Sequence, residues 1–352
     1  MVLLGDMMFE IKHGNILLQD TEALVNTVNC DGYMGKGIAL QFKKAFPNNY
    51  KYYHNACSRK EVHPGKVLVF ETGLSINPRF IINFPTKMHW KGKAKIEYIK
   101  TGMVSLRSQI IDHDIRSISI PPLGCGLGGL KWSDVYPIIK DGLSDLAGVS
   151  IFLYPPEKTP EASEMPIRTM EPTLTLSRIL FLKLMKQYSR LAYKMSLLEI
   201  QKLAYFLQEA GQNLSLRFEK AQYGPFASNL TKVLELFESH YIEGFGDNQK
   251  PDVEIRLVQD KVPEIDKLQI EDTSAQDNLE RVFALIDGFE MPYGMELLAS
   301  VHWVATKDTP SARNPVDAYS SISNWTNRKK NLFSQEHVKV AWNRLDSGGW
   351  IK

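Results

Sequence analysis

Pro121-Pro122-Leu123-Gly124-Cys125-Gly126-Leu127-Gly128-Gly129-Leu130-Lys131-Trp132 follows an apolar, β-branched run at 115–120 and leads into an amphipathic stretch at 133–146. A strand, a glycine-rich turn and a helix start in that order form a cradle for an anion. Glycines let backbone N–H groups approach closely, and the helix N-terminus adds partial positive charge. The same residues would also serve as a tight turn packed under a neighbouring loop. The cradle therefore needs support from elsewhere in the chain.

Outward from this loop, short apolar runs at 9–12, 23–29, 66–71, 80–84, 117–121 and 149–154 predict strands. Several are apolar on successive positions, as in Ile151-Phe152-Leu153-Tyr154, which suits strands buried on both faces. Helical spacing occupies 38–45, 93–111 and 133–146 between them. Residues 1–155 thus read as an α/β domain: a mixed, mostly parallel sheet with helices on both faces. Prolines at 155, 156, 160, 166 and 172 interrupt any periodicity and predict a linker over 156–173. Beyond it, i, i+3, i+4 apolar spacing at 174–188, 196–210, 227–240, 276–288, 295–306 and 335–347 predicts a mainly α-helical second domain, 174–352. Ser196 with Glu199 three residues on is a capping-box start.

The bulk properties narrow the class. With 352 residues the chain has room for two cores, and 43% hydrophobic with 23% charged residues is the composition of a globular protein. No apolar run approaches the roughly 18 residues of a membrane span, so no membrane partner is expected. Cys30, Cys57 and Cys125 lack metal-type spacing, and their odd number argues against a disulfide framework; a reducing cytoplasm is the expected compartment. Residues 1–155 carry 18 Lys and Arg against 13 Asp and Glu, whereas 156–352 carry 24 against 27. A basic first half suits an anionic substrate, and the acidic second half suits another kind of partner.

Two further polar loops stand at predicted strand ends. Val25-Asn26-Thr27-Val28-Asn29-Cys30-Asp31-Gly32-Tyr33-Met34-Gly35-Lys36-Gly37-Ile38-Ala39 puts asparagines where a strand disfavours them. A carboxamide there can pair with a sugar hydroxyl, and Gly35 and Gly37 can bring backbone amides towards a phosphate. The other is Asn83-Phe84-Pro85-Thr86-Lys87-Met88-His89-Trp90-Lys91. In open α/β sheets such strand-end loops converge on one crevice.

Together these three loops, in this order, resemble a macrodomain, the ADP-ribose-binding fold, over about residues 7–155. The likeness is greatest to the branch holding terminal ADP-ribose protein glycohydrolase and the DarG-type DNA ADP-ribosyl glycohydrolase antitoxins. It implies that Asn26 and Asn29 belong to the asparagine-bearing loop, with Asn29 at the distal ribose and Asp31 beside it. Gly35, Lys36, Gly37 and Ile38 would wrap the diphosphate on one side, and Gly124, Cys125, Gly126, Leu127 and Gly128 on the other. Lys87, preceded by Thr86, takes the position of the branch's catalytic lysine. Asn15, followed by Ile16, falls where many macrodomains carry an aspartate for the adenine amino group, and its side-chain oxygen can accept the same bond. Tyr154 is placed to pack on adenine. One departure stands out: the terminal glycohydrolase has an aspartate where this chain has Gly128, so the resemblance does not carry over a mechanism needing both lysine and aspartate.

As a residue, Lys87 can be a surface lysine after a strand. In this motif it can instead attack an anomeric carbon, its pKa lowered by neighbouring cations such as Lys91, Lys93 and Lys95, or act charged on a leaving base or a phosphate. His89 is a reserve acid or base, or an exposed structural histidine. Asp31 can orient a ribose hydroxyl or make a turn, and Cys125 is a thiol nucleophile only if some partner activates it. His89, Trp90, Lys91, Lys93 and Lys95 form a cationic and aromatic patch that could track a DNA backbone while Trp90 stacks a base; an ordinary helix start is the alternative.

In the second domain, 197–210 followed by Tyr223-Gly224-Pro225 resembles a pattern of helical antitoxin modules, as core packing or as a toxin-binding surface. Residues 251–290 hold 11 acidic and 4 basic residues, a solvated face or a contact for a cationic partner. The resemblance implies an enzyme that removes ADP-ribose from a DNA base, thymine foremost, using no metal and no redox cofactor, ADP-ribose being ligand and product. Its partners would be ADP-ribosylated single-stranded DNA and a cognate DNA ADP-ribosyltransferase toxin held by the second domain. The alternatives are a glycohydrolase for ADP-ribosylated protein carboxylates and a non-catalytic ADP-ribose reader.

Overall fold

Alternation of side chains across a pleated strand explains the first unit. In Leu24-Val25 and Ile81-Ile82, successive residues point to opposite faces of the sheet, and all four are fully buried. A computed structural model of the chain describes residues 8–156, 165–189, 195–246 and 253–351. It divides into two compact units, residues 1–170 with 246–249, and residues 171–245 with 250–352.

The first unit is built on a six-stranded sheet in the order β1-β6-β5-β2-β4-β3. The strands are β1 (Met8–Ile11), β2 (Ala23–Val28), β3 (Leu68–Glu71), β4 (Phe80–Pro85), β5 (Ser117–Ile120) and β6 (Ser150–Leu153). Five run parallel; only β3 is antiparallel, to β4. Helices α1 (Gly37–Ala45), α2 (Pro47–Ser58), α3 (Ile96–Asp112) and α4 (Trp132–Leu143) lie between them. On one face Val25, Ile82, Phe84, Ile118 and Ile120 pack under Leu106 and Ile110 of α3 and Ile139 of α4. On the other, Leu24 and Ile81 meet Phe42 of α1 and Ile16. A separate cluster joins Val28 to Tyr53 and Ala56 of α2. This is the mixed, mostly parallel sheet with helices on both faces that the sequence predicts.

The expected linker is only partly a connector. Residues 157–164 lie outside the described residues, but 165–170 pack on the first unit. The Met165 sulfur receives the Asn15 Nδ2 at 3.4 Å. The Arg168 N–H donates to the Lys44 carbonyl at 2.9 Å, and its guanidinium lies 5.2 Å from the Phe46 ring centre.

The second unit is mainly helical: α5 (Leu176–Ser189), α6 (Leu197–Glu209), α7 (Leu230–Phe237), α8 (Val262–Lys267), α9 (Thr273–Ile286), α10 (Pro292–Thr306), α11 (Pro315–Trp325), α12 (Asn327–Leu332) and α13 (Gln335–Ser347). Helices α6 and α10 are buried over most of their length, which makes them the centre of a helical core. The capping box forms, with the Ser196 N–H donating to Glu199 at 2.6 Å. The segment expected to be helical over 227–240 forms α7, and ahead of it stands a hairpin absent from the sequence reading, β7 (Phe218–Ala221) with β8 (Gly224–Ala227). Strands β9 (Ile242–Glu243) and β10 (Arg256–Leu257) form a second antiparallel pair. Lys202 and Pro225, two residues of the antitoxin-like pattern, meet here: the buried amine donates to the Pro225 carbonyl at 2.6 Å. Among the described residues no helix is long and apolar enough to cross a membrane.

Candidate functional site

Parallel strands put their C-terminal ends on one edge of the sheet, and the loops leaving those ends hold most of the residues singled out by sequence. In sheet order they are Asn15 and Ile16 after β1, Tyr154 after β6, the glycine loop after β5, Asn29 to Ile38 after β2, and Thr86 to Lys95 after β4. The order β6-β5-β2-β4 includes the point where strand order reverses, the usual place for a crevice in an open sheet.

The glycine loop is held by its own backbone: Cys125 N–H donates to Pro122 O, Gly129 N–H to Gly126 O and Leu130 N–H to Gly124 O, each at 3.0 Å. A side chain at Gly128 would put its Cβ 2.3 Å from the Gly124 oxygen and 2.8 Å from the Ala94 methyl. The aspartate used by the terminal glycohydrolase therefore has no room on this backbone. Gly126 differs, for a Cβ there would meet nothing within 4 Å. Across from it α1 starts at Gly37, whose φ of +58° only glycine adopts readily. No side chain caps this helix start, and a Cβ on Gly37 would lie 3.4 Å from Leu127. Lys36, Gly35 and Ile38 line the same turn and are half-buried.

Three loops are tied together around Lys87. Its Nζ donates to the Leu127 carbonyl at 2.6 Å, joining the β4 loop to the glycine loop. Burial pulls the Lys87 ammonium below the ordinary lysine range. The cause differs from the one expected: withdrawal from water lowers it, not the cations at 91, 93 and 95. Thr86 is buried and its N–H extends the sheet to Val28 O at 2.9 Å. The β2 loop joins the β4 loop through Cys30 N–H to Met88 O at 3.1 Å. Asp31 completes the join, accepting the Trp90 N–H at 2.8 Å and facing His89 Nδ1 at 3.2 Å. Of its two expected roles, the loop-making one is visible in these bonds.

The asparagines do more for the loops than the sequence implied. Asn29 Oδ1 accepts the Asp31 N–H at 2.9 Å, the Tyr33 N–H at 3.3 Å and the Tyr53 hydroxyl at 3.2 Å, while Nδ2 donates to Tyr33 O at 2.6 Å. One Nδ2 hydrogen remains for a ligand. Asn26 is fully buried, its Nδ2 donating to Asn83 Oδ1 at 3.1 Å while its Oδ1 has no hydrogen-bond partner. Tyr154 is likewise drawn into the core, its ring against Ile16 and Leu17 and its hydroxyl donating to Gln19 at 2.8 Å. Asn15 Oδ1 caps the turn after β1 by accepting the Leu17 N–H at 3.0 Å.

Burial pushes the Cys125 thiol up to about 11, which removes it as a nucleophile near neutral pH. Trp90 is 48% exposed with the Lys91 ammonium 4.9 Å from its ring centre; Lys93 and Lys95 are exposed beyond it. Among the described residues no three His, Cys, Asp or Glu gather in a way that would hold a metal. One residue of this region was not singled out from sequence. Tyr33 is 55% exposed, and its ring stands 6.1 Å from that of Trp90.

The family profile of the Macro domain matches residues 25–139. A DNA ADP-ribosyl glycohydrolase of Thermus aquaticus is 42% identical over 346 residues, 98% of this chain and 95% of that protein. A Mycobacterium tuberculosis protein of the same name is 39% identical, with 94% of this chain and 97% of that protein covered. A DNA ADP-ribosyl transferase–DNA ADP-ribosyl glycohydrolase fusion protein of Thermosipho africanus is 31% identical over 172 residues, 44% of each chain. On this full-length likeness, and with its Macro domain, the chain belongs to the DNA ADP-ribosyl glycohydrolase family.

Proposed function

We propose that the protein hydrolyses the glycosidic bond between ADP-ribose and a base of single-stranded DNA, thymine being the expected base. We further propose that its second unit binds the DNA ADP-ribosyltransferase whose product it removes. The single observation carrying the hydrolysis is the Lys87 amine, partly withdrawn from water at the meeting point of three loops. In this reading Asn15 and Ile16 hold the adenine end. Gly35 to Ile38 and Gly124 to Gly128 wrap the diphosphate, and Asn29 meets the distal ribose. Lys87 then faces the anomeric carbon. As a neutral amine it would attack that carbon while the base departs with the proton the amine gives up, and water would then displace the amine and free ADP-ribose; as an ammonium it would stabilise the charge developing on the base while water attacks the carbon. Gly128 offers no carboxylate, so the chemistry rests on Lys87. The reaction so drawn uses no metal and no redox group.

The test pairs the wild type with Lys87→Ala on ADP-ribosylated single-stranded DNA and on ADP-ribosylated protein. The variant is expected to keep its affinity for free ADP-ribose and to release ADP-ribose from DNA about a hundredfold more slowly or worse. Full turnover by the variant removes Lys87 from the chemistry, and release from protein alone sinks the DNA assignment.

The fused relative, in which a transferase and a glycohydrolase are one polypeptide, supports pairing with a transferase, and the exposed acids Glu271, Asp277, Glu280 and Asp287 on and beside α9 support the second unit as the contact. Such a face suits the basic cleft of an enzyme that binds DNA. A transferase that binds residues 1–160 as tightly as the whole chain would refute it.

A further inference from the structure

Two large aromatic side chains stand in water on the joined loops after β2 and β4, the second of which carries Lys87, and burial does not explain either. Tyr33 and Trp90 are about half exposed, with ring centres 6.1 Å apart and planes at 62°. What holds them is backbone. Asn29 clasps Tyr33 through its N–H and its carbonyl, and Asp31 accepts the Trp90 N–H. The Gly92 N–H closes the turn onto His89 O at 2.9 Å. Loops fastened in this way keep the rings in place at little entropic cost when something binds them.

Their position along the sheet says which end of a ligand they meet. The loops after β1 and β6 lie at one end of the strand order, and those after β2 and β4 at the other, beyond the glycine loop. An ADP-ribose laid across these loops, adenine at β1, reaches Lys87 with its distal ribose. Whatever is bonded to that ribose then continues towards Tyr33 and Trp90. Lys91, Lys93 and Lys95 are exposed on this side, and the Asp31 carboxylate at the same turn is engaged by the Trp90 N–H and His89. The Lys91 ammonium lies over Trp90 and can be drawn off by a phosphate, which opens the ring to a flat partner.

We propose that Tyr33 and Trp90 form a two-ring subsite for a nucleobase of the DNA strand, next to the bond that is broken. This rests on the glycohydrolase reading above. Aromatic rings flanked by cations are how proteins hold single-stranded DNA without reading its sequence. A protein carboxylate in the same position would leave both rings unused, so the subsite also accounts for a preference for DNA.

The experiment uses the full chain with Tyr33→Ala and Trp90→Ala, alongside Tyr33→Phe and Trp90→Phe. Substrates are an ADP-ribosylated single-stranded oligonucleotide and an ADP-ribosylated mononucleoside, and free ADP-ribose affinity is measured by calorimetry. Each alanine variant is expected to raise KM for the oligonucleotide roughly tenfold to a hundredfold, with kcat little changed. Free ADP-ribose should bind as before, and the phenylalanine variants should restore most of the loss. An equal loss on the mononucleoside assigns the rings to the modified base; a loss on the oligonucleotide alone assigns them to its neighbour. Unchanged KM in both alanine variants overturns the subsite. Binding of an unmodified oligonucleotide separates the two readings. A wild type that releases no ADP-ribose but binds the strand through these rings overturns only the glycohydrolase reading. A wild type that neither releases ADP-ribose nor loses strand binding in the alanine variants overturns both.

Discussion

Gly128 shows how one residue sets what chemistry a loop can carry. Its Cβ position is occupied by the Gly124 oxygen and the Ala94 methyl, so the departure from the terminal glycohydrolase is built into the backbone. Gly128→Ala is expected to cost about 1–3 kcal/mol, because neither the carbonyl nor the Ala94 methyl can yield without moving the loop. ADP-ribose affinity should fall with it, whereas Gly126→Ala should leave thermal stability unchanged. Melting curves and calorimetry of both variants check this, and a Gly128→Ala protein as stable as wild type contradicts it. The glycine run and Lys87 were legible because their types and spacing carry the signal. Tyr33 was not, since a tyrosine in a polar loop looks the same whether its ring is buried or exposed. Asn26 and Tyr154 went the other way, being polar or amphipathic residues near strand ends that the fold turned inward.

Among the elements, α2 was missing from the sequence reading and proves to be the brace of the site. Pro47-Asn48-Asn49-Tyr50-Lys51-Tyr52-Tyr53 has no apolar stripe, so periodicity could not reveal it. Its buried face is instead polar and aromatic. Asn49 exchanges hydrogen bonds with Asn83 of β4, at 2.7 and 3.2 Å, and the Tyr53 hydroxyl donates to the Asn29 carbonyl at 2.7 Å. Asn83 also accepts from Asn26 of β2, so one carboxamide links two strands and a helix. Asn83→Ala would leave the donors of Asn26 and Asn49 buried and unsatisfied, at a cost of about 2–4 kcal/mol. Urea unfolding should show this as a lower midpoint, and a loss under 1 kcal/mol would mean that the network contributes little. Hairpin β7–β8 escaped for a related reason: α6 stabilises it from outside its own sequence, Gln201 pairing with both the N–H and the carbonyl of Ala227.

At the scale of the molecule, the apolar clusters of the first unit and the single large cluster of the second share no buried residue. Two separate cores predict two unfolding transitions. Free ADP-ribose at about a hundred times its Kd should stabilise only the first unit, by about 2.7 kcal/mol. Differential scanning calorimetry with and without the ligand tests this; both transitions shifting together would defeat it. The sequence by itself determined the six strands of the first unit's sheet, most of the longer helices, the change from α/β to helical after the prolines, and the three loops that carry a macrodomain's motifs. Those follow from periodicity, glycine spacing and residue type, all of which are local. Only the tertiary structure decided which strand ends adjoin, that Lys87 rests on the Leu127 carbonyl, that Gly128 admits no side chain, and that Tyr33 and Trp90 share one exposed face. Each of these depends on contacts between residues far apart in the chain, and the burial and close approach they impose are not properties of any one segment.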